Sequence, residues 1–221
     1  MLYRPSYSLA VVSLSAGESV VAEAGAMVSM SGTVQMKTSA RGGILKGLTR
    51  SLLGGESFFM NTFQAANGPG EVTLSPALPG DLIQLEVAGD LLVQSGSYLG
   101  SSPEVSVDTK WGGARSFFAG EGLFMLRVSG VGPLLVSSYG AIHEKLLGPG
   151  ERYVVDTGHI VAFDGSMSYQ VQRVGGLKST LLGGEGLVAA FTGPGRILLQ
   201  TRSPGAFLEW LLPQIPQRSS S

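Results

Sequence analysis

The run GLTRSLLGGE occupies Gly47–Glu56, and the same chain writes it twice more, as GGARSFFAGE over Gly112–Glu121 and GLKSTLLGGE over Gly176–Glu185. The closing glutamates, Glu56, Glu121 and Glu185, stand 65 and 64 residues apart. Each is followed by an apolar stretch, SFFMNTF, GLFMLRV or GLVAAF. A glycine turn and another strand-like run come next: GPGEVTL (Gly68–Leu74), GVGPLLV (Gly130–Val136) and GPGRILL (Gly193–Leu199). Upstream of each lies a second repeated word: AGESVVAEAGAMVSM (Ala16–Met30), AGDLLVQSGSYLGS (Ala88–Ser101) and PGERYVVDTGHIVAF (Pro149–Phe163). Two different words, in one order, three times at a fixed period are the signature of a repeated supersecondary unit.

Each copy reads as strand, Gly-Glu or Gly-Asp turn, strand, Gly turn, strand, connecting segment, Gly-Glu, strand, Gly turn, strand. The runs are short, rich in Val, Leu and Phe, and bounded by Gly and Pro, which is the pattern of small sandwiches or barrels. The predicted fold is therefore all-β: three tandem small β-sandwich domains with a pseudo-threefold internal repeat. The copies are placed at residues 1–77, 78–138 and 139–202. Residues 203–221 carry a short C-terminal helix and a disordered tail. Ser203 suits the N-cap, Pro204 the first turn, and Phe207, Trp210 and Leu211 share one helix face, which packs on its own protein or, alternatively, on a partner. Pro213 and Pro216 end it.

Composition agrees with many corners and a real core. Of 221 residues 33 are glycine, 43% are hydrophobic and only 14% are charged, so the chain is not disordered. A formal net charge of −1 argues against a general nucleic-acid binder. With no cysteine and two histidines, disulfides, thiol chemistry and a cysteine zinc site are excluded. A cupin-type metal site lacks ligands. No cofactor is expected. Val128–His143, the longest run free of Asp, Glu, Lys and Arg, is broken by glycines and falls short of the ~20 apolar residues of a spanning helix. A cytoplasmic protein is the expectation.

The words AGAMVSM, LLGGESFF, SSYGAIH and VVDTGHIVAF, in this order over Arg4 to about Thr201, resemble the altered-inheritance-of-mitochondria twenty-four family, whose prokaryotic members are uncharacterised. The resemblance implies an attenuator-protein-like fold (that of the tryptophan RNA-binding attenuator protein), with three β-domains per chain and a homotrimer closing a ring of nine. It implies no catalytic residues.

Candidate site residues come from the repeat. Glu56, Glu121 and Glu185 could form equivalent acidic sites between copies, but a carboxylate beside glycine also accepts free turn N–H groups, and repetition favours that reading. Glu18, Asp90 and Glu151 at the other turn read alike. Arg50, Arg115 and Lys178 precede the first set by six or seven residues and could pair across an interface or bind an anion. His159 breaks the repeat, standing where the other copies have Ala26 and Ser97, with Asp156 beside it. That corner is where a copy-specific function could sit, although a hydrogen-bonded structural histidine fits it too. Gly42–Phe59 is apolar and glycine-rich with Lys46 and Arg50, the composition of a segment packed between copies or, alternatively, of a membrane-surface or partner-binding loop. No phosphate loop, nucleophile elbow or stacking platform for single strands occurs. The expected function is a non-enzymatic, ring-forming oligomer acting as scaffold or binding module. The alternative is a ring that binds a small ligand or RNA, which rests on fold analogy alone.

Overall fold

The structure is a computed structural model and describes residues 1–39, 59–109, 124–173 and 187–216. The chain is all-β as the sequence predicts, with eighteen strands and one α-helix among the described residues. The first six strands are β1 (Ala10–Leu14), β2 (Ser19–Glu23), β3 (Met27–Met30), β4 (Gln35–Ser39), β5 (Met60–Gln64) and β6 (Gly70–Leu74). The next six are β7 (Leu82–Val87), β8 (Leu91–Gln94), β9 (Tyr98–Ser101), β10 (Ser106–Asp108), β11 (Met125–Ser129) and β12 (Gly132–Ser137). The last six are β13 (Ile142–Leu147), β14 (Arg152–Asp156), β15 (Ile160–Asp164), β16 (Ser168–Arg173), β17 (Leu187–Thr192) and β18 (Gly195–Gln200). Helix α1 (Pro204–Leu211) follows, and Ser203 Oγ accepts the Ala206 N–H at 3.4 Å as its N-cap.

Sequence reading expects five strands where six are seen. The strand it misses is β4, β10 or β16, written QMKTS, SVD and SYQVQR. Each lies at a sheet edge and is either three residues long or written largely in polar residues, so it lacks the apolar run that marks its neighbours.

The strands form four sheets, ordered β1-β6-β3, β4-β5-β2-β9-β12-β7, β10-β11-β8-β15-β18-β13 and β14-β17-β16. Three apolar clusters lie between them. The first joins Ala10, Leu14, Val72 and Leu74 of the first sheet to Val20, Phe63, Leu99 and Leu135 of the second. Another joins Val21, Tyr98, Leu134 and Val136 of the second to Leu91, Val93, Leu126 and Leu198 of the third. The last joins Leu92, Ile160, Phe163 and Ile197 of the third to Val155, Ala189 and Phe191 of the fourth. The sheets thus stack as layers of three, six, six and three strands with a core in each gap.

The two six-stranded sheets are covered on both faces. That is why LLVQ of β8 and YLGS of β9 are buried at every residue and show no period-two alternation. Neighbouring residues point to different cores: on β8 Leu92 enters the last cluster while Leu91 and Val93 enter the middle one.

Two glycines have conformational reasons. Gly17 and Gly150 open the Gly-Glu turns at φ +86° and +74°, a region L side chains rarely adopt. Gly80 lies where two connections touch: it bridges Gly140, and a Cβ there would overlap the Ser138 carbonyl oxygen. No helix among the described residues is long and apolar enough to cross a membrane.

Candidate functional site

Glu56, Glu121, Glu185, Arg50, Arg115 and Lys178 lie outside the described residues, as do 42–58 and 217–221. Asp156 and His159 are placed, and the backbone uses both. β14 ends at Asp156, whose Oδ1 accepts the Gly158 N–H at 2.8 Å and caps the 3-10 turn Thr157–His159. His159 Nδ1 lies 2.7 Å from the Gln200 carbonyl oxygen. A carbonyl only accepts, so Nδ1 carries the proton. Buried Gln200 returns the contact, its Nε2 donating to the Gly158 carbonyl at 2.8 Å and its Oε1 accepting the Tyr139 N–H at 2.9 Å. This corner ties the end of β18 to the turn after β14.

The Gly-acid turns bear out the turn-acceptor reading at two of three sites. Glu18 Oε2 accepts the Ser15 N–H at 2.6 Å, and Glu151 Oε2 accepts the Gly148 N–H at 2.9 Å. The Gly148 N–H and then the Lys145 ammonium, 3.0 Å away, hold the Glu151 carboxyl below the ordinary carboxylate range. Asp90, one carbon shorter, instead receives the Arg127 guanidinium at 2.5 and 3.1 Å.

Beside two of these turns the structure opens clefts. The first, about 600 Å³, lies between the Gly17-Glu18 turn and the turn after β9, lined among others by Val11, Ser102, Glu104 and Leu135. The second, about 460 Å³, lies between the Gly89-Asp90 turn and the turn after β15, with Asp164, Ser166 and Arg196 in its wall. Their chemistry differs. The second sets Arg196 among Glu86, Asp90 and Asp164: the Arg196 guanidinium stands 4.0 Å from Asp164 and its backbone N–H donates to Asp164 Oδ2 at 2.8 Å, while Arg127 covers Asp90. The first has two carboxylates in its wall, with Met1 and, among the described residues, no Lys, Arg or His, and Ser102 Oγ is buried there without a hydrogen-bond partner among the described residues. No group of three or more His, Cys, Asp or Glu that could hold a metal occurs among the described residues.

Sequence reading misses a heavily bonded buried charge. Asp81 is 4% exposed. Arg4 clamps it with Nε at 2.7 Å and Nη2 at 2.9 Å, while Ser8 Oγ and the Leu82 N–H add bonds at 3.2 and 2.8 Å. Burial pushes the carboxyl up, but Arg4, Leu82 and Ser8 together outweigh it and hold it below its ordinary value. The two residues are 77 apart in sequence and belong to no repeated word, so only the fold brings them together.

The comparisons accord with this architecture. The pattern of the mitochondrial biogenesis AIM24 family matches residues 1–202. The chain belongs to that family. An uncharacterised protein of Streptococcus pyogenes serotype M6 is 28% identical over 223 residues, covering 97% of this chain and 89% of its own. A crystal structure of a Streptococcus pyogenes protein from a structural genomics programme superposes with a TM-score of 0.79 at 27% identity, covering 96% of this chain and 97% of that one. The AIM24 match stops at residue 202, one residue before the cap of α1.

Proposed function

We propose that this AIM24-family chain is a non-enzymatic scaffold built from three tandem attenuator-protein-like copies, residues 1–77, 78–138 and 139–202, which joins head to tail with further copies into a closed homotrimeric ring. One observation carries the reading: the pairing of strands between the runs. Within the three runs of six strands the hydrogen-bonded orders are β1-β6-β3 with β4-β5-β2, β7-β12-β9 with β10-β11-β8, and β13-β18-β15 with β14-β17-β16. The second strand of one run then pairs with the third strand of the next, as β2 with β9 and β8 with β15. The third strands even carry their register shift at one position, Val28, Leu99 and Val161. Two strands lack this partner, β3 of the first run and β14 of the last, and they are the two halves of one more such junction. An interface between unlike surfaces closes into a ring when its rotation permits.

The register follows from the internal junctions. Val21 faces Ser101 and Leu92 faces Phe163, positions four before and five after the second glycine of each word. The same count pairs Val154 with Met30 of the next copy. Val21 and Leu92 are 5% and 3% exposed, whereas Val154 is 57% exposed. Val28 is likewise 57% exposed where Leu99 and Val161 are 1% and 0%. A flat apolar edge is a template for pairing.

Light scattering tests the reading. A mass three times the 22.9 kDa of one chain is expected at micromolar concentration, falling to one chain in Val154→Lys. A single-chain mass for the unmodified protein overturns it.

The recurrence of a cleft at both internal junctions favours a second reading, a ring that binds a small ligand. A third cleft would form where the Gly150-Glu151 turn meets the Ser31–Thr33 turn of the next copy. Acidic walls disfavour RNA, whose affinity comes from basic contacts to phosphate. Native mass spectrometry of protein from its own host distinguishes the two: ligand mass in multiples of the subunit supports binding, and bare subunits support the scaffold.

A further inference from the structure

We infer that helix α1 lies across the junction between two copies, its exposed apolar side chains seated on the residue 1–7 segment of the next copy of this chain. The inference rests on the head-to-tail reading above. It starts from two apolar surfaces that stay exposed among the described residues. On α1 and the turn after it, Leu208, Trp210, Leu212 and Ile215 are 48 to 63% exposed. Before β1, Leu2, Tyr3 and Tyr7 are 44 to 76% exposed.

Both surfaces are held at their base. The Phe207 ring meets Tyr139 edge-on at 6.0 Å and Trp210 at 6.1 Å, and Ser203 Oγ lies against Gly158. The segment before β1 is fixed by the Arg4–Asp81 clamp and by the Leu2–Leu9 bridge. A held apolar surface loses little conformational entropy on docking.

The internal connections say where the two surfaces meet. Between the second and third runs the chain passes through Ser138-Tyr139-Gly140-Ala141. There the Ser138 N–H donates to the Asp81 carbonyl and the Asp81 N–H to the Gly140 carbonyl. One copy later the first bond recurs, the Thr201 N–H donating to the Ala141 carbonyl. One copy earlier the second recurs, the Ser8 N–H donating to the Gly80 carbonyl. Tyr7 and Ser8 therefore hold in the first copy the places that Gly140 and Ala141 hold in the third. In a head-to-tail pair, Tyr7 and Ser8 of the next copy arrive directly after Arg202, where Ser203 turns the chain into α1. In the single chain the Ala141 N–H, whose acceptor by this pattern is the carbonyl of residue 7 of the next copy, is taken by Thr201 Oγ1 at 3.0 Å. The helix leaves and the segment arrives at one point, and each brings the apolar face the other lacks.

Trp210 reports the contact. The chain has two tryptophans, so Trp111→Phe leaves Trp210 as the one tryptophan, excited selectively at the red edge beyond tyrosine absorption. In the assembled protein Trp210 emission is expected to shift to the blue and to lose most of its acrylamide quenching, relative to a Val154→Lys chain held as a monomer. Tyr3→Ser with Tyr7→Ser, both at exposed positions, restores the quenching. Removing residues 204–221 raises the dissociation constant by on the order of tenfold or more, the usual effect of deleting an aromatic anchor. An assembly of the stated mass in which Trp210 stays fully quenchable, or stays shielded when both tyrosines are replaced, overturns the inference and leaves the ring standing. So does binding of the assembled protein to phosphatidylcholine vesicles through Trp210, because the face is then open to a membrane. A single-chain mass overturns both readings.

Discussion

Asp81 and Arg4 show how one residue pair fixes a connection. Asp81 is nearly buried, and its four hydrogen bonds come from Arg4, Ser8 and Leu82, tying the segment before β1 to the start of β7. Replacing Arg4 with Met keeps the aliphatic stem and removes the cation. A cost of about 1–3 kcal/mol is expected, the penalty of a buried acceptor left short of donors, read as a lower urea midpoint with unchanged slope. The pH dependence has a definite sign. The Asp81 carboxyl is held below its ordinary value in the folded chain, so its contribution is fully present above the unfolded value of about 3.9 and fades as pH falls through the folded one. Between pH 5 and pH 3 the unmodified protein should lose more stability than Asp81→Asn; parallel slopes for the two would remove Asp81 from the account. Glu18 and Glu151 act more locally, closing turns within three residues of themselves.

At the scale of elements, equivalent strands meet different surroundings. Leu92 on β8 and Val154 on β14 hold one position in their words, yet Leu92 is 3% and Val154 57% exposed. Leu92→Ala should cost about 2–5 kcal/mol at any protein concentration, because it opens a cavity between two layers. Val154→Ala should leave the unfolding of a dilute single chain nearly unchanged and weaken association when the protein is concentrated. Equal costs for both in the dilute chain would refute the assignment of β14 as an open edge. Helix α1 belongs to this scale too. Its start is local chemistry, Ser203 and Pro204, while its one-sided docking through Phe207 depends on Tyr139, which lies at the far end of another connection.

For the whole molecule, the stack ends on either side in a three-stranded sheet. The inner sheets have six strands covered on both faces, and the outer ones have three. If the outer sheets complete one another between copies, association stabilises only the folded chain, and the melting temperature must rise with protein concentration. A hundredfold increase in concentration should raise it measurably, and Val154→Lys should make it independent of concentration. A concentration-independent melt of the unmodified protein would contradict head-to-tail assembly. The sequence by itself determined the all-β class, the Gly-acid turns and the cap of α1, because periodic apolar runs, positive-φ glycines and an N-cap serine act within a few residues. It hid β4, β10 and β16, since polar edge strands carry no apolar signal. It placed Asp156 and His159 together without revealing that Gly158 and Gln200 engage them. Only the tertiary structure decided that second strands pair with third strands of the next run, that two clefts follow from this, and that Arg4 reaches Asp81. Those contacts join residues tens of positions apart, and their energy comes from burial between layers, which no local stretch of sequence contains.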